Sequence, residues 1–267
     1  ENIPHIKDSK TLANLMDIQQ DNTITYQYIV TEQMPYSLKQ YLDQLYSMKI
    51  KIDPLLMKLF IYNLFAGLSY LHSLGITHRD IKTCNLLVND HTGELKICDF
   101  GSAKIINGSY KNGSDFDISV SYIASRMFRA PELLLDCCKY GSAIDIWAAG
   151  CVICEILNES MPMFMGSSNS DQLIQIMRIL GKPTKEDIES FEHSLEFPEV
   201  EQISCFKNVL PINIDQDLFE LLSKIFVYNP AKRPTAKECM MSPYFDELFV
   251  EGKTLSDGRP LPTLCPR

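Results

Sequence analysis

The stretch that decides the fold is His78-Arg79-Asp80-Ile81-Lys82-Thr83-Cys84-Asn85. In an extended loop, residues two apart point the same way, so Asp80 and Lys82 share a side. Working outward, Asp99-Phe100-Gly101 and then Ala130-Pro131-Glu132 follow in the chain. Asn85 and Asp99 offer the hard oxygen donors that divalent cations prefer. By itself the first stretch also fits a solvated polar turn between a helix and a strand, with Asp80 and Asn85 as turn formers. The order and spacing of all three segments weigh against that bland reading.

Around these segments the texture is mostly helical. Thr23-Ile24-Thr25-Tyr26-Gln27-Tyr28-Ile29-Val30 is β-branched and aromatic and reads as a strand, with a second candidate over 11–18. After Met34-Pro35 the signals turn helical. Asp53-Pro54 opens the clearest helix, with Asp as N-cap, Pro at the first helical position and Gly75 as its stop. Residues 145–157 read as a helix that is apolar on nearly every side, hence buried. Residues 171–180 read as a helix stopped by Gly181, and Thr235-Ala236-Lys237-Glu238 is a capping box opening another. A strand-bearing start before a long helical body implies an α+β chain of two unequal lobes.

Composition bounds the rest. The 267 residues are 45% hydrophobic and 22% charged, which excludes disordered and low-complexity classes. A net charge of −9 argues against broad nucleic-acid or anionic-membrane binding. Wholly apolar runs are short, so no membrane-spanning helix is expected, and the first residues lack the marks of a secretory signal. Nine cysteines, an odd number spread thinly, suggest reduced thiols and a cytoplasmic or nuclear setting. Cys151-Val152-Ile153-Cys154 lies within the apolar helix and reads as packing, as do Met161, Met163 and Met165.

Taken together, the three segments resemble the protein-kinase signature H-R-D-x-K-x-x-N, D-F-G and A-P-E. The resemblance implies a two-lobe fold, with residues 1–34 as a partial small lobe ending in the hinge and 35–267 as the large lobe, its activation segment at 99–132. It implies transfer of the γ-phosphoryl of ATP, with Mg²⁺, to protein substrates. Asp80 would face the incoming hydroxyl, Lys82 would neutralise charge, and Asn85 and Asp99 would hold metal. Lys82 at that place implies serine/threonine specificity. Thr31, Glu32 and Met34 would form the hinge against adenine, with Leu87 as its floor and Cys98 as its inner wall. His78 and Arg79 would anchor the loop, Asp145 would hold its backbone, and Arg233 would pair with Glu132.

A narrower resemblance is to glycogen synthase kinase-3, in the CMGC group. It is carried by Asp99-Phe100-Gly101-Ser102-Ala103-Lys104, by 120–133 around Tyr122, and by 172–184. It implies that Tyr122 is an activation-loop phosphotyrosine, with Arg126 and Arg129 as partners. It also implies a preference for substrates primed by another kinase, read by a phosphate pocket that includes Arg79, Lys104, Arg126 and Arg129, and a scaffold-protein contact near 172–205. The chain departs from the family in four ways. Its first glycine is Gly67, so no glycine-rich phosphate loop precedes the hinge. Thr83-Cys84 replaces the usual Pro-Gln before Asn85. The stretch 108–115 resembles an insertion, and the sequence after Thr184 is only loosely similar. The rival readings are an unprimed CMGC kinase and a pseudokinase or scaffold.

Overall fold

The computed structural model describes residues 31–106, 124–191, 197 and 199–267. The expected strand at 23–30, the segment 108–115 and Tyr122 lie outside the described residues.

The described chain begins at residue 31, enters β1 (Tyr36–Ser37) and turns at once into α1 (Leu38–Ser47). Ser37 caps that helix: it accepts from the Gln40 amide, and the Gln40 side chain reaches back to the Ser37 amide, so two orphan donors are satisfied. Next comes α2 (Pro54–Ser73), capped by Asp53 with Pro54 at its first turn, as the sequence indicates. It ends where Gly75 adopts φ +71°, a left-handed conformation that glycine enters without steric cost. This helix is long and apolar enough to cross a membrane, but two-thirds of its most apolar stretch is buried within the fold. Leu59, Phe60, Tyr62, Phe65 and Leu68 sit in the core, and α2 packs on Glu94–Ile97, Ala143–Leu157 and Ala236–Met240.

Two short antiparallel ladders carry the loops of interest. One orders β1–β3–β4, from β3 (Leu86–Asn89) and β4 (Glu94–Ile97); Ser37 pairs with Leu87, and Leu86 with Ile97. The other joins β2 (Ile76–Thr77) to β5 (Lys104–Ile105), with Thr77 opposite Lys104. The segment 78–85 therefore leaves one ladder and enters the other.

The helical body follows: α3 (Pro131–Leu134), α4 (Ala143–Leu157), α5 (Asn169–Leu180), α6 (Lys185–Glu189), α7 (Gln216–Ile225) and α8 (Ala236–Met240). Every residue of α4 from Ile144 to Ile156 is buried. Trp147 stacks on Phe164 and meets Phe226 edge-on at a centroid distance of 5.0 Å. Cys151 and Cys154 are buried free thiols in this helix, raised above the usual thiol range chiefly by burial. The boundaries match expectation closely for α2, α4, α5 and the Thr235 capping box. The methionine reading needs correction: Met163 packs against the core, but Met161 and Met165 are about half exposed. Their loop runs over the surface, so these side chains have no gap to fill.

Candidate active site

The segment 78–85 is held from below by α4. Asp145, fully buried, accepts from the His78 amide at 2.8 Å through Oδ2 and from the Arg79 amide at 2.8 Å through Oδ1. His72 Nε2 lies 2.9 Å from the same Oδ2. Burial would raise the Asp145 carboxyl, but His72, the charge near His78 and the Arg79 N–H outweigh it and hold it below the usual carboxylate range. Arg79 takes φ +69°, a strained value for a side-chain-bearing residue, fixed by that amide bond. Its guanidinium donates to the Ser102 carbonyl and, at 3.0 Å, to the Tyr140 hydroxyl. The loop is thus tied to the segment after Asp99.

Beyond Arg79 the reactive groups converge. Lys82 Nζ donates to Asp80 Oδ2 at 2.7 Å, as the two-residue spacing predicts. Asn85 donates to the Asp80 carbonyl at 2.9 Å and to Oδ2 at 3.1 Å. Its amide oxygen has no donor on it among the described residues. On the other side, Oδ1 of Asp80 receives the Ser125 amide at 3.1 Å and the Ser125 hydroxyl at 3.2 Å; Lys82 Nζ also reaches that hydroxyl at 3.1 Å. Asp80 is therefore fixed through both oxygens. Ser125 is absent from the sequence-derived set. Its adjacency to Arg126 and the Ala130-Pro131-Glu132 segment was the available hint, but its contact spans 45 residues.

Asp99 follows β4 and is placed next to Asn85 by the bond from the Cys98 amide to the Asn85 carbonyl at 2.9 Å. It adopts φ +62°, caps the turn Phe100–Ser102, and leaves its carboxylate exposed. Phe100 meets His78 edge-on at 5.1 Å, while His78 Nε2 contacts the Cys98 carbonyl at 3.0 Å. The Cys98 thiol is pushed up by burial and by the Asp99 charge.

The residues expected to form a hinge precede β1, whose pairing with β3 sets Leu87, half-buried, against Ser37. The Glu32 side chain is paired with the buried Lys96 of β4 at 2.6 Å. Thr31 is exposed.

Of the four expected phosphate ligands, Arg79 follows the end of β2 by two residues and Lys104 opens β5, where it pairs with Thr77. Arg126 donates to the Ser167 carbonyl at 2.7 Å. Arg129 donates to Asn169 at 2.7 Å and to the Ala124 carbonyl at 2.8 Å. Glu132 and Arg233 form the expected pair, bidentate at 2.7 Å for both contacts.

Residues 3–245 match the family model described as protein kinase domain. The chain belongs to the protein kinase domain family. Its partial small β-sheet lobe and helical body have the α+β architecture of that fold, and the family is one that phosphorylates proteins.

Proposed function

We propose that this kinase domain transfers the γ-phosphoryl of ATP to serine or threonine hydroxyls of proteins. The observation that carries this reading is the Ser125 hydroxyl, held within hydrogen-bond reach of both Asp80 and Lys82. An aliphatic hydroxyl oxygen is thereby accommodated between a carboxylate and an ammonium group. In the reaction, Asp80 orients the acceptor hydroxyl and takes its proton, and Lys82 stabilises charge on the transferring phosphoryl. Neither group has to move far, because four hydrogen bonds already fix Asp80.

Asn85 and Asp99 suit Mg²⁺: both present oxygen donors, and the Asn85 amide faces Asp80 with its hydrogens, which frees its oxygen. When bound, the cation neutralises phosphate charge. Leu87, Cys98 and the 31–34 segment would line the adenine site.

Within this activity we place the chain near glycogen synthase kinase-3, with a preference for primed substrates. The 99–104, 120–133 and 172–184 segments support that placement, and the pairing of Thr77 with Lys104 brings Lys104 close to the Arg79 end of the loop. One observation favours the unprimed, proline-directed alternative. Ala124 takes φ +62° and its carbonyl is committed to Arg129, so a substrate backbone passing there finds no acceptor for an amide. Proline, which has no N–H, suffers no loss at that point.

The test is phosphoryl transfer from labelled ATP to a peptide panel, followed by identification of the modified amino acid. Asp80→Asn should lose transfer by about a hundredfold or more while still binding nucleotide. Near-wild-type turnover in that variant would overturn the role of Asp80. Equal turnover of primed and unphosphorylated peptides would remove the priming preference.

A further inference from the structure

Position 83 is where the stretch departs from the pattern it resembles, and its hydroxyl donates to a buried carboxylate. Thr83 Oγ1 donates to Glu155 Oε2 at 3.0 Å, and both residues are about 1% exposed. The other oxygen of Glu155 meets Lys39 Nζ at 3.2 Å. Lys39 also donates to the Ser160 carbonyl at 2.7 Å and hydroxyl at 2.8 Å, and pairs with Asp43 at 3.1 Å. The Ser160 hydroxyl in turn donates to Asp43 at 2.6 Å. Glu159 and Ser160 take φ +50° and +69°, so strained backbone aims this turn at Lys39.

The electrostatics agree with a connected unit. Burial pulls Lys39 down, yet Asp43 and Glu155 together raise it above the usual lysine range. Burial raises the Glu155 carboxyl, against the pull of Lys39 and Thr83. The two directions are compatible: Lys39 is one-third exposed with two carboxylates, whereas Glu155 is buried with one cation. Glu155 therefore relies on the Thr83 hydroxyl as its second donor.

The unit has a direction. Lys39 belongs to α1, which leaves the hinge, and Glu155 belongs to α4. Thr83 opens the turn Thr83–Asn85, whose last residue holds Asp80. A proline at 83 has no hydroxyl and could not make this connection. We propose that Thr83 is a positioning residue: through Glu155 and Lys39 it couples the hinge-side helix to the turn that presents Asn85 and Asp80. The coupling fixes where the Asn85 amide oxygen points, and hence how well the site holds its metal.

The proposal rests on the kinase reading of Asp80 and Asn85, and the experiment separates the two. In the full natural chain, kcat, peptide KM, the Mg²⁺ concentration for half-maximal rate and, by calorimetry without peptide, the Mg²⁺ dependence of nucleotide binding are measured for wild type, Thr83→Val, Thr83→Ser, Lys39→Met and the Thr83→Val/Lys39→Met double variant. Thr83→Val should lower kcat and raise the Mg²⁺ requirement by about two- to tenfold, the size of one net hydrogen bond, with peptide KM unchanged. Thr83→Ser should restore both, since it keeps the hydroxyl. The double variant should lose less than the product of the single losses, because both act through one carboxylate. An active wild type with an unaffected Thr83→Val variant, no rescue by serine, or strictly multiplicative losses would overturn the coupling alone. A wild-type chain without transfer activity would overturn the kinase reading, and the coupling with it.

Discussion

Replacing Arg233 with methionine is the sharpest test of how the large lobe is held. Arg233 is 2% exposed and Glu132 1% exposed. Every guanidinium donor is used: two on Glu132 at 2.7 Å, and the rest on the carbonyls of Val227, Ala143 and Tyr228 at 3.0–3.2 Å. The guanidinium also lies 5.0 Å over the Trp147 ring. Arg233→Met preserves much of the volume but leaves Glu132 as a buried, unpaired charge. Losing one partner of such a pair costs about 3–5 kcal/mol. For a chain of this length that corresponds to a melting shift of about 6–20 °C downward. Thermal and urea unfolding, followed by tryptophan fluorescence of Trp147, reads the shift directly. Adding Glu132→Gln removes the stranded charge and should return part of the loss. A shift below about 3 °C for Arg233→Met, or a double variant worse than the sum of both singles, would refute the reasoning.

Two further predictions concern α4. A Cβ on Gly150 would lie 2.6 Å from Ile225 Cγ2 and 3.0 Å from the Phe226 ring, so Gly150→Ala should destabilise by about 1–3 kcal/mol despite alanine's better helix propensity; an unchanged urea midpoint would show that α7 moves aside freely. Asp145 has a folded-state pKa below its unfolded value of 3.8, so its contribution is present above that pH and lost as pH falls through the folded value. The urea midpoint of the wild type should therefore drop more steeply below pH 4 than that of Asp145→Asn, and parallel curves would contradict the assignment.

The sequence and the structure agree best where a function is carried by neighbours in the chain. Asp80, Lys82 and Asn85 meet as their spacing indicates. Asp53, Gly75, Gly181 and Thr235 end or begin helices because capping is a local matter of one hydroxyl, one carboxylate or one left-handed residue. The Glu132–Arg233 and Asp145 contacts span the chain and were accessible only through family resemblance. Ser125 and the Thr83–Glu155–Lys39 unit escaped both routes. Their partners are 45, 72 and 116 residues away in sequence. Arg126 and Arg129 were placed beside Tyr122 by sequence proximity and resemblance; Tyr122 lies outside the described residues, and within them Arg126 reaches Ser167 while Arg129 reaches Asn169 and Ala124.

The positions of the two α4 anchors bear on why the reactive loop is firm. Asp145 and Glu155 lie ten residues apart on one helix, a rise of about 15 Å. The loop residues they hold, Arg79 and Thr83, are separated by four steps, which span at most about 14 Å when extended. The two lengths are comparable, and Lys82, with φ −162° and ψ 162°, is extended. Asp80 and Lys82 thus sit on a short length of chain drawn between two buried carboxylates of a rigid element. Slack at either end would let their side chains wander from the 2.7 Å contact that defines the pair. Asp145 alone would fix only the upstream end, leaving Lys82 and Asn85 to the turn that follows. On this geometry the Thr83 hydroxyl supplies the downstream anchor that the Asp80–Lys82–Asn85 cluster needs to hold its shape before any substrate arrives.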